Sequence, residues 1–145
     1  LPGELIAAFL WAQLEEAQAI TDNRLATWEA YHESLAGLER QGLLRRPIVP
    51  QGCQHNAHMY YVLLAPGIDR QAVLGALKQH EIYAVFHYVP LHSSPAGERY
   101  GRAHGAMEVT DYSAQRLLRL PLWWGMPKGT QQRVVEILGD ILARF

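Results

Sequence analysis

The stretch ELIAAFLWAQLEEAQAITDNRLATWEAYHESLA, residues 4–36, contains neither glycine nor proline. Apolar or small residues recur at Leu10, Leu14, Ala17, Thr21, Leu25, Trp28, Tyr31 and Leu35, and again at Leu38. Steps of three and four put them on one face of a helix. Pro2 suits the start of that helix, and Gly37 or Gly42 its end. At 1.5 Å per residue such a helix runs roughly 50 Å, well beyond the usual three turns. A remainder of about 100 residues, with a radius of gyration near 13 Å, cannot cover it. The length therefore predicts that the N-terminal half packs against another domain, with a bend near Thr21-Asp22-Asn23.

Outward from this helix, Arg45-Arg46-Pro47-Ile48-Val49-Pro50-Gln51-Gly52 reads as a proline-punctuated connector. Tyr60, Tyr61 and Val62 mark a strand over 57–64, which Pro66-Gly67 ends. Asp69 is placed to cap a helix reaching Gln79, with Val73, Leu74 and Leu77 inward. A second strand is expected over 82–88, stopped by Pro90, then a loop over 91–105. A helix follows over 112–118, and Leu120-Pro121-Leu122-Trp123-Trp124 forms an apolar turn. The last helix runs over 128–142, with Val134, Ile137, Leu138 and Ile141 on one face. The class is α+β, a small sheet packed with helices and attached to a long helix. Residues 1–42 form the linking helix and 43–145 the small domain.

Bulk properties narrow the function. Of the 145 residues 49% are apolar, enough for a core, so disorder is excluded. The net charge is −1 with both signs dispersed, so no basic stripe marks a nucleic-acid binder. No apolar run approaches the roughly 20 residues of a membrane span. The lone cysteine, Cys53, fits a reducing, cytoplasmic setting. The opening Leu1-Pro2-Gly3 suggests a segment cut from something longer.

The residues most suggestive of chemistry are His87 and Tyr88, where a strand gives way to a loop. They point to opposite faces if the strand persists through both, and a twist before Pro90 brings them toward one pocket. Either they face a polar ligand, or they only hydrogen-bond backbone at a strand end. Seven histidines occur, but none forms a helical H-x-x-x-H pair and Cys53 has no C-x-x-C partner, so no metal site is expected. Gly97, Gly101 and Gly105 match neither a Walker loop nor a dinucleotide fingerprint. The four tryptophans read as packing residues. No complete catalytic constellation is present.

Four blocks, in order, carry a resemblance. They are Leu1 through Glu15, Asn56-Ala57-His58-Met59-Tyr60-Tyr61, Ala84 through His92, and Leu117-Leu118-Arg119-Leu120-Pro121-Leu122. Together they resemble the C-terminal part of the DegT/DnrJ/EryC1/StrS sugar aminotransferases, above all the branch forming dTDP-4-amino-4,6-dideoxygalactose. The third block contains the family's His-Tyr-x-Pro-Leu-His segment, the fourth its Arg-Leu-Pro-Leu turn. The resemblance implies the small domain of a fold type I enzyme that uses pyridoxal 5'-phosphate and works as a homodimer. It implies transfer of an amino group from glutamate to the 4-keto carbon of a dTDP-4-keto-6-deoxyhexose, for surface polysaccharide synthesis. His87 and Tyr88 match residues that approach the sugar nucleotide, which favours the ligand-facing reading for both; His92 matches the second histidine. The family's cofactor-binding lysine lies upstream of the matched segment, and neither Lys78 nor Lys128 matches it. The chain alone is therefore expected to be inactive and to bind no cofactor. An alternative is a non-catalytic small domain that binds a sugar nucleotide or a partner.

Overall fold

The computed structural model describes residues 2–145. The helical stretch is not one rod. It comprises α1 (Glu4–Glu15), α2 (Ala17–Ser34) and the short α3 (Ala36–Arg40). The break falls at Glu16 (φ −100°, ψ 8°), not at Thr21-Asp22-Asn23. Those three polar residues are accommodated without leaving the helix. Asp22 accepts from Gln18, Thr27 donates to the Asn23 carbonyl, and the Asn23 side chain accepts the Gly125 N–H at 2.9 Å.

A three-stranded antiparallel sheet follows, in the order β1 (Leu44–Arg45), β2 (Tyr60–Leu64), β3 (Leu117–Leu120). Tyr60 lies opposite Leu120 and Val62 opposite Leu118, so these four side chains share the buried face. β3 replaces the end of the helix expected over 112–118. The alternation in Leu117-Leu118-Arg119-Leu120, with Leu118 and Leu120 buried, is that of a half-covered strand. The helix lies earlier, as α6 (Glu108–Arg116).

The strand expected over 82–88 shrinks to one bridge. Val85 and Arg119 exchange both backbone hydrogen bonds, at 3.1 and 2.7 Å. Pairing cannot spread, because Glu81 on one side and Tyr88 on the other have left-handed φ of 60° and 62°, and Pro90 has no N–H to give. The loop expected over 91–105 holds a 3-10 turn at Leu91–Ser93 and the short helix α5 (Pro95–Tyr100), capped by Ser94, whose Oγ accepts the Gly97 N–H.

α4 (Arg70–Gln79) starts as its sequence requires, with the Asp69 carboxylate accepting the Gln71 N–H at 2.8 Å. It buries Val73 and Leu77. α7 (Thr130–Leu142) buries Val134, Val135, Leu138, Ile141 and Leu142, each stabilising by roughly 1.5–3 kcal/mol. The core is a sandwich of the sheet with α2, α4 and α7. α2 contributes Trp28 and Tyr31, and Leu35 follows at its end. The Tyr31 hydroxyl donates to the Pro121 carbonyl at 2.9 Å; burial pushes its pKa up.

α1 buries nothing. Leu5 is 88% exposed, and Ile6, Phe9, Leu10, Trp11 and Leu14 are exposed as well. Of the four tryptophans only Trp28 is buried. Trp11, Trp123 and Trp124 stand on the surface, against the expectation that all four pack. Among the described residues no helix is long and apolar enough to cross a membrane.

Candidate functional site

The segment 86–92 runs from the Val85 bridge into the turn at Leu91. Left-handed φ in an aromatic residue is uncommon and persists only where its surroundings hold it. At Tyr88 it turns the chain sharply, so the faces of a continuous strand no longer apply. The His87 and Tyr88 rings lie side by side, centroids 5.1 Å apart and tilted by 55°. Both are exposed, Tyr88 by 72%, so their polar atoms are free to meet a ligand.

His92 lies apart from this pair. Its Nε2 is 2.9 Å from an Asp111 carboxylate oxygen on α6. As a carboxylate Asp111 can only accept, so the imidazole donates. His92 also lines a separate, largely apolar hollow with Gly97, Gly101, His104 and Met107. Thus the structure brings His87 and Tyr88 together and fastens His92 to α6.

A cleft of about 160 Å³ lies between the segment and α6, lined by Arg70, Phe86, Tyr88, Ser93, Asp111 and Gln115. Arg70, at the start of α4, is its cation. Its guanidinium lies 5.1 Å from the Phe86 ring centroid and donates through Nη1 to the Ala114 carbonyl of α6. Its Nε is buried without a partner, and burial lowers its pKa. Arg116 ties α6 to the sheet, with Nε donating to the Leu64 carbonyl at 2.6 Å and the guanidinium stacked on Tyr112 at 3.9 Å. Sequence reasoning missed Arg70, Asp111 and Arg116. Their partners are distant in the chain, and Asp111 sits in an unremarkable helical stretch.

A second cluster gathers around Trp28 and His32 of α2. His32 stacks on Trp28, ring centroids 4.7 Å apart and 12° from parallel, and His55 covers the indole at 4.4 Å. The His32 Nδ1 is 3.4 Å from the Tyr60 hydroxyl. Arg46 pairs with Glu39 at 2.7 Å and donates to the His32 carbonyl. Burial, then the Arg46 charge, lowers the His32 pKa below 6.5. Burial alone would raise Glu39, but the Arg46 N–H and guanidinium hold it below the usual range. The Trp28–His32 spacing of four was the readable signal for the stack. Among the described residues no group of three or more His, Cys, Asp or Glu is placed to hold a metal.

The model of the DegT/DnrJ/EryC1/StrS aminotransferase family matches residues 3–139. A curated relative, dTDP-3-amino-3,4,6-trideoxy-alpha-D-glucose transaminase of Micromonospora megalomicea subsp. nigra, is 27% identical over 141 residues, 96% of this chain and 37% of the relative. The fold recurs in S. venezuelae DesV, solved in complex with a ketimine intermediate. There the TM-score is 0.84 at 24% identity, over 96% of this chain and 36% of that one. It recurs also in the PLP form of the putative sugar aminotransferase Spr1654 from Streptococcus pneumoniae, with TM-score 0.82 at 16% identity over 92% of this chain and 34% of that one. The chain therefore spans about a third of the length of the proteins it matches. With a family model matched along nearly its whole length and the same α+β fold in solved members, the chain belongs to the DegT/DnrJ/EryC1/StrS aminotransferase family.

Proposed function

We propose that this chain is the C-terminal part of a sugar-nucleotide aminotransferase, with residues 1–42 as the helical link to a large cofactor-binding domain and 43–145 as the small domain. The observation that carries the reading is the family match over residues 3–139. The complete enzyme transfers an amino group from glutamate to the 4-keto carbon of a dTDP-4-keto-6-deoxyhexose, giving a 4-amino-4,6-dideoxyhexose for surface polysaccharide. It works as a homodimer in the cytoplasm. The relative's name puts its amino group at carbon 3, so the carbon aminated is the sharpest point of the proposal.

The residues present do not make a pyridoxal-phosphate site. The only lysines, Lys78 on α4 and Lys128 before α7, are exposed, and neither lines the hollows around segment 86–92. The cofactor, which supplies an electron sink for amino transfer, belongs to the large domain. The role of this chain is to bind and orient. The Tyr88 hydroxyl and His87 imidazole, exposed side by side, donate hydrogen bonds to the sugar nucleotide's phosphates or hydroxyls. His92, tied to Asp111 and lining the neighbouring hollow, is the weaker substrate-binding candidate of the three. Two neighbouring donors on one turn fix a substrate's orientation better than one, and orientation is a large part of rate.

The test uses the complete enzyme with pyridoxal phosphate, glutamate and, separately, 4-keto and 3-keto dTDP-deoxyhexoses. Mass spectrometry detects the amino sugar and NMR locates the nitrogen. Amination at carbon 4 is expected. Amination at carbon 3 alone overturns the positional assignment, and no amino sugar from either substrate overturns the whole reading.

A further inference from the structure

The 86–92 segment is held at both ends by the same helix. At its N-terminal end, Arg70 lies over the Phe86 ring and donates to the Ala114 carbonyl of α6. At its C-terminal end, His92 donates to Asp111, one helical turn earlier on α6. Between these two ties sits Tyr88, with φ of 62°. The His87 ring lies beside it, and just downstream the Ser93 and Ser94 amides bond the Pro90 and Leu91 carbonyls; these contacts are local to the turn, whereas the Arg70 and Asp111 ties reach it from α4 and α6. Among the described residues Tyr88 has no side-chain hydrogen-bond partner, it is well exposed, and the bridge to Arg119 stops at Val85. Left to itself, a tyrosine in left-handed φ relaxes to an ordinary conformation.

We propose that Asp111 is a positioning residue for Tyr88. By accepting the His92 N–H it closes a clamp whose other jaw is Arg70, and the clamp keeps the 88–90 turn in its strained form. Exposed ion pairs contribute little; here the His92 side chain is 19% exposed and that of Asp111 42%, so the tie is shielded on the histidine side only. Asp111, Arg70 and Tyr88 also line one cleft, so both jaws and the tyrosine face the same space. That the turn presents Tyr88 to a sugar nucleotide rests on the functional reading above; the clamp itself does not.

Amide hydrogen exchange on the 145-residue chain tests the clamp without any substrate. Asp111→Ala should speed exchange at Ser93 and Ser94, whose amides bond to the Pro90 and Leu91 carbonyls, by roughly tenfold or more, the scale of a hydrogen bond to a charged group. Exchange in β2 and α7 should stay unchanged. Asp111→Asn keeps an acceptor oxygen and should restore much of the protection. His92→Ala added to Asp111→Ala should have little further effect, because the tie is already lost. Unchanged exchange at 93–94 in Asp111→Ala, or equal acceleration in β2, overturns the proposal. In the complete enzyme, Tyr88→Phe and Asp111→Ala should each raise KM for the sugar nucleotide by roughly tenfold while KM for glutamate holds. If exchange responds but neither variant changes KM, the clamp stands as a structural device and the substrate role of Tyr88 fails.

Discussion

Replacing Gly97 with alanine sets two effects of opposite sign against each other. Gly97 lies inside α5, and in a helix interior alanine is more favourable than glycine by roughly 0.5–1 kcal/mol. Here, however, the added methyl carbon would stand 1.6 Å from the Leu91 carbonyl oxygen, 2.7 Å from the carbonyl carbon and 3.0 Å from the Ser94 Oγ. The obstacle is backbone, and it must retreat by about 1.4 Å to reach the closest approach real methyl carbons tolerate. Overpacking of this kind costs roughly 1–3 kcal/mol, so the clash outweighs the propensity and the net effect is a loss of about 1 kcal/mol. Gly75, inside α4 with nothing within 4 Å of an added Cβ, is the control, and there the same substitution should gain roughly 0.5–1 kcal/mol. Urea unfolding measures both. Because α5 can open without the core, exchange at the Glu98 and Gly101 amides, which bond to the Ser94 and Gly97 carbonyls at 2.9 and 2.8 Å, reports the local loss. If Gly97→Ala stabilises the chain as Gly75→Ala does, with those amides no less protected, the close approach of α5 to Leu91 is wrong.

Three further outcomes are expected. The 145-residue chain should self-associate through α1, since exposed apolar stripes of this size seldom stay solvated; light scattering across a concentration series should show it, and Leu10→Glu should abolish it. A monomer at every concentration would contradict this. Stability should fall as pH drops below 6.5, because burial and Arg46 depress the His32 pKa in the fold and the unfolded chain takes up the proton first. His32→Gln should flatten the dependence of Tm on pH in that window, and an unaltered slope would count against the cluster. Incubation with pyridoxal phosphate and borohydride should give no stoichiometric, site-specific adduct on Lys78 or Lys128, which peptide mapping reads directly.

The elements legible in the sequence were those with a full period of buried positions. α4 and α7 each carry several inward residues and were placed within a residue or two at most boundaries. So was the core face of α2, through Trp28, Tyr31 and Leu35. β1, two residues long, has no period to read. β3 was hidden because Leu117-Leu118-Arg119-Leu120 fits a helix end as well as a strand, and only its pairing with Tyr60–Leu63 decides. At the candidate site, the sequence pointed to His87, Tyr88 and His92, but not to the left-handed turn at Tyr88. That turn is flanked by the contacts of Arg70 with Phe86 and of Asp111 with His92, made across the fold, which no local pattern records. α1 is apolar nearly all round, so its residues could not name an inward face.

The joint at Glu16 makes α1 a lever. Its twelve residues extend about 18 Å at 1.5 Å per residue, and none of them is anchored in the core. α2, beyond the joint, is fixed by Trp28, Tyr31 and the Asn23–Gly125 bond. A rotation of only about 10° at Glu16 would carry the far end of an arm of that reach roughly 3 Å, while the core residues stay where they are. Any surface that grips Leu5 and Phe9 therefore gains mechanical advantage over a single peptide unit, and the angle at Glu16 fixes where that surface sits relative to Tyr88.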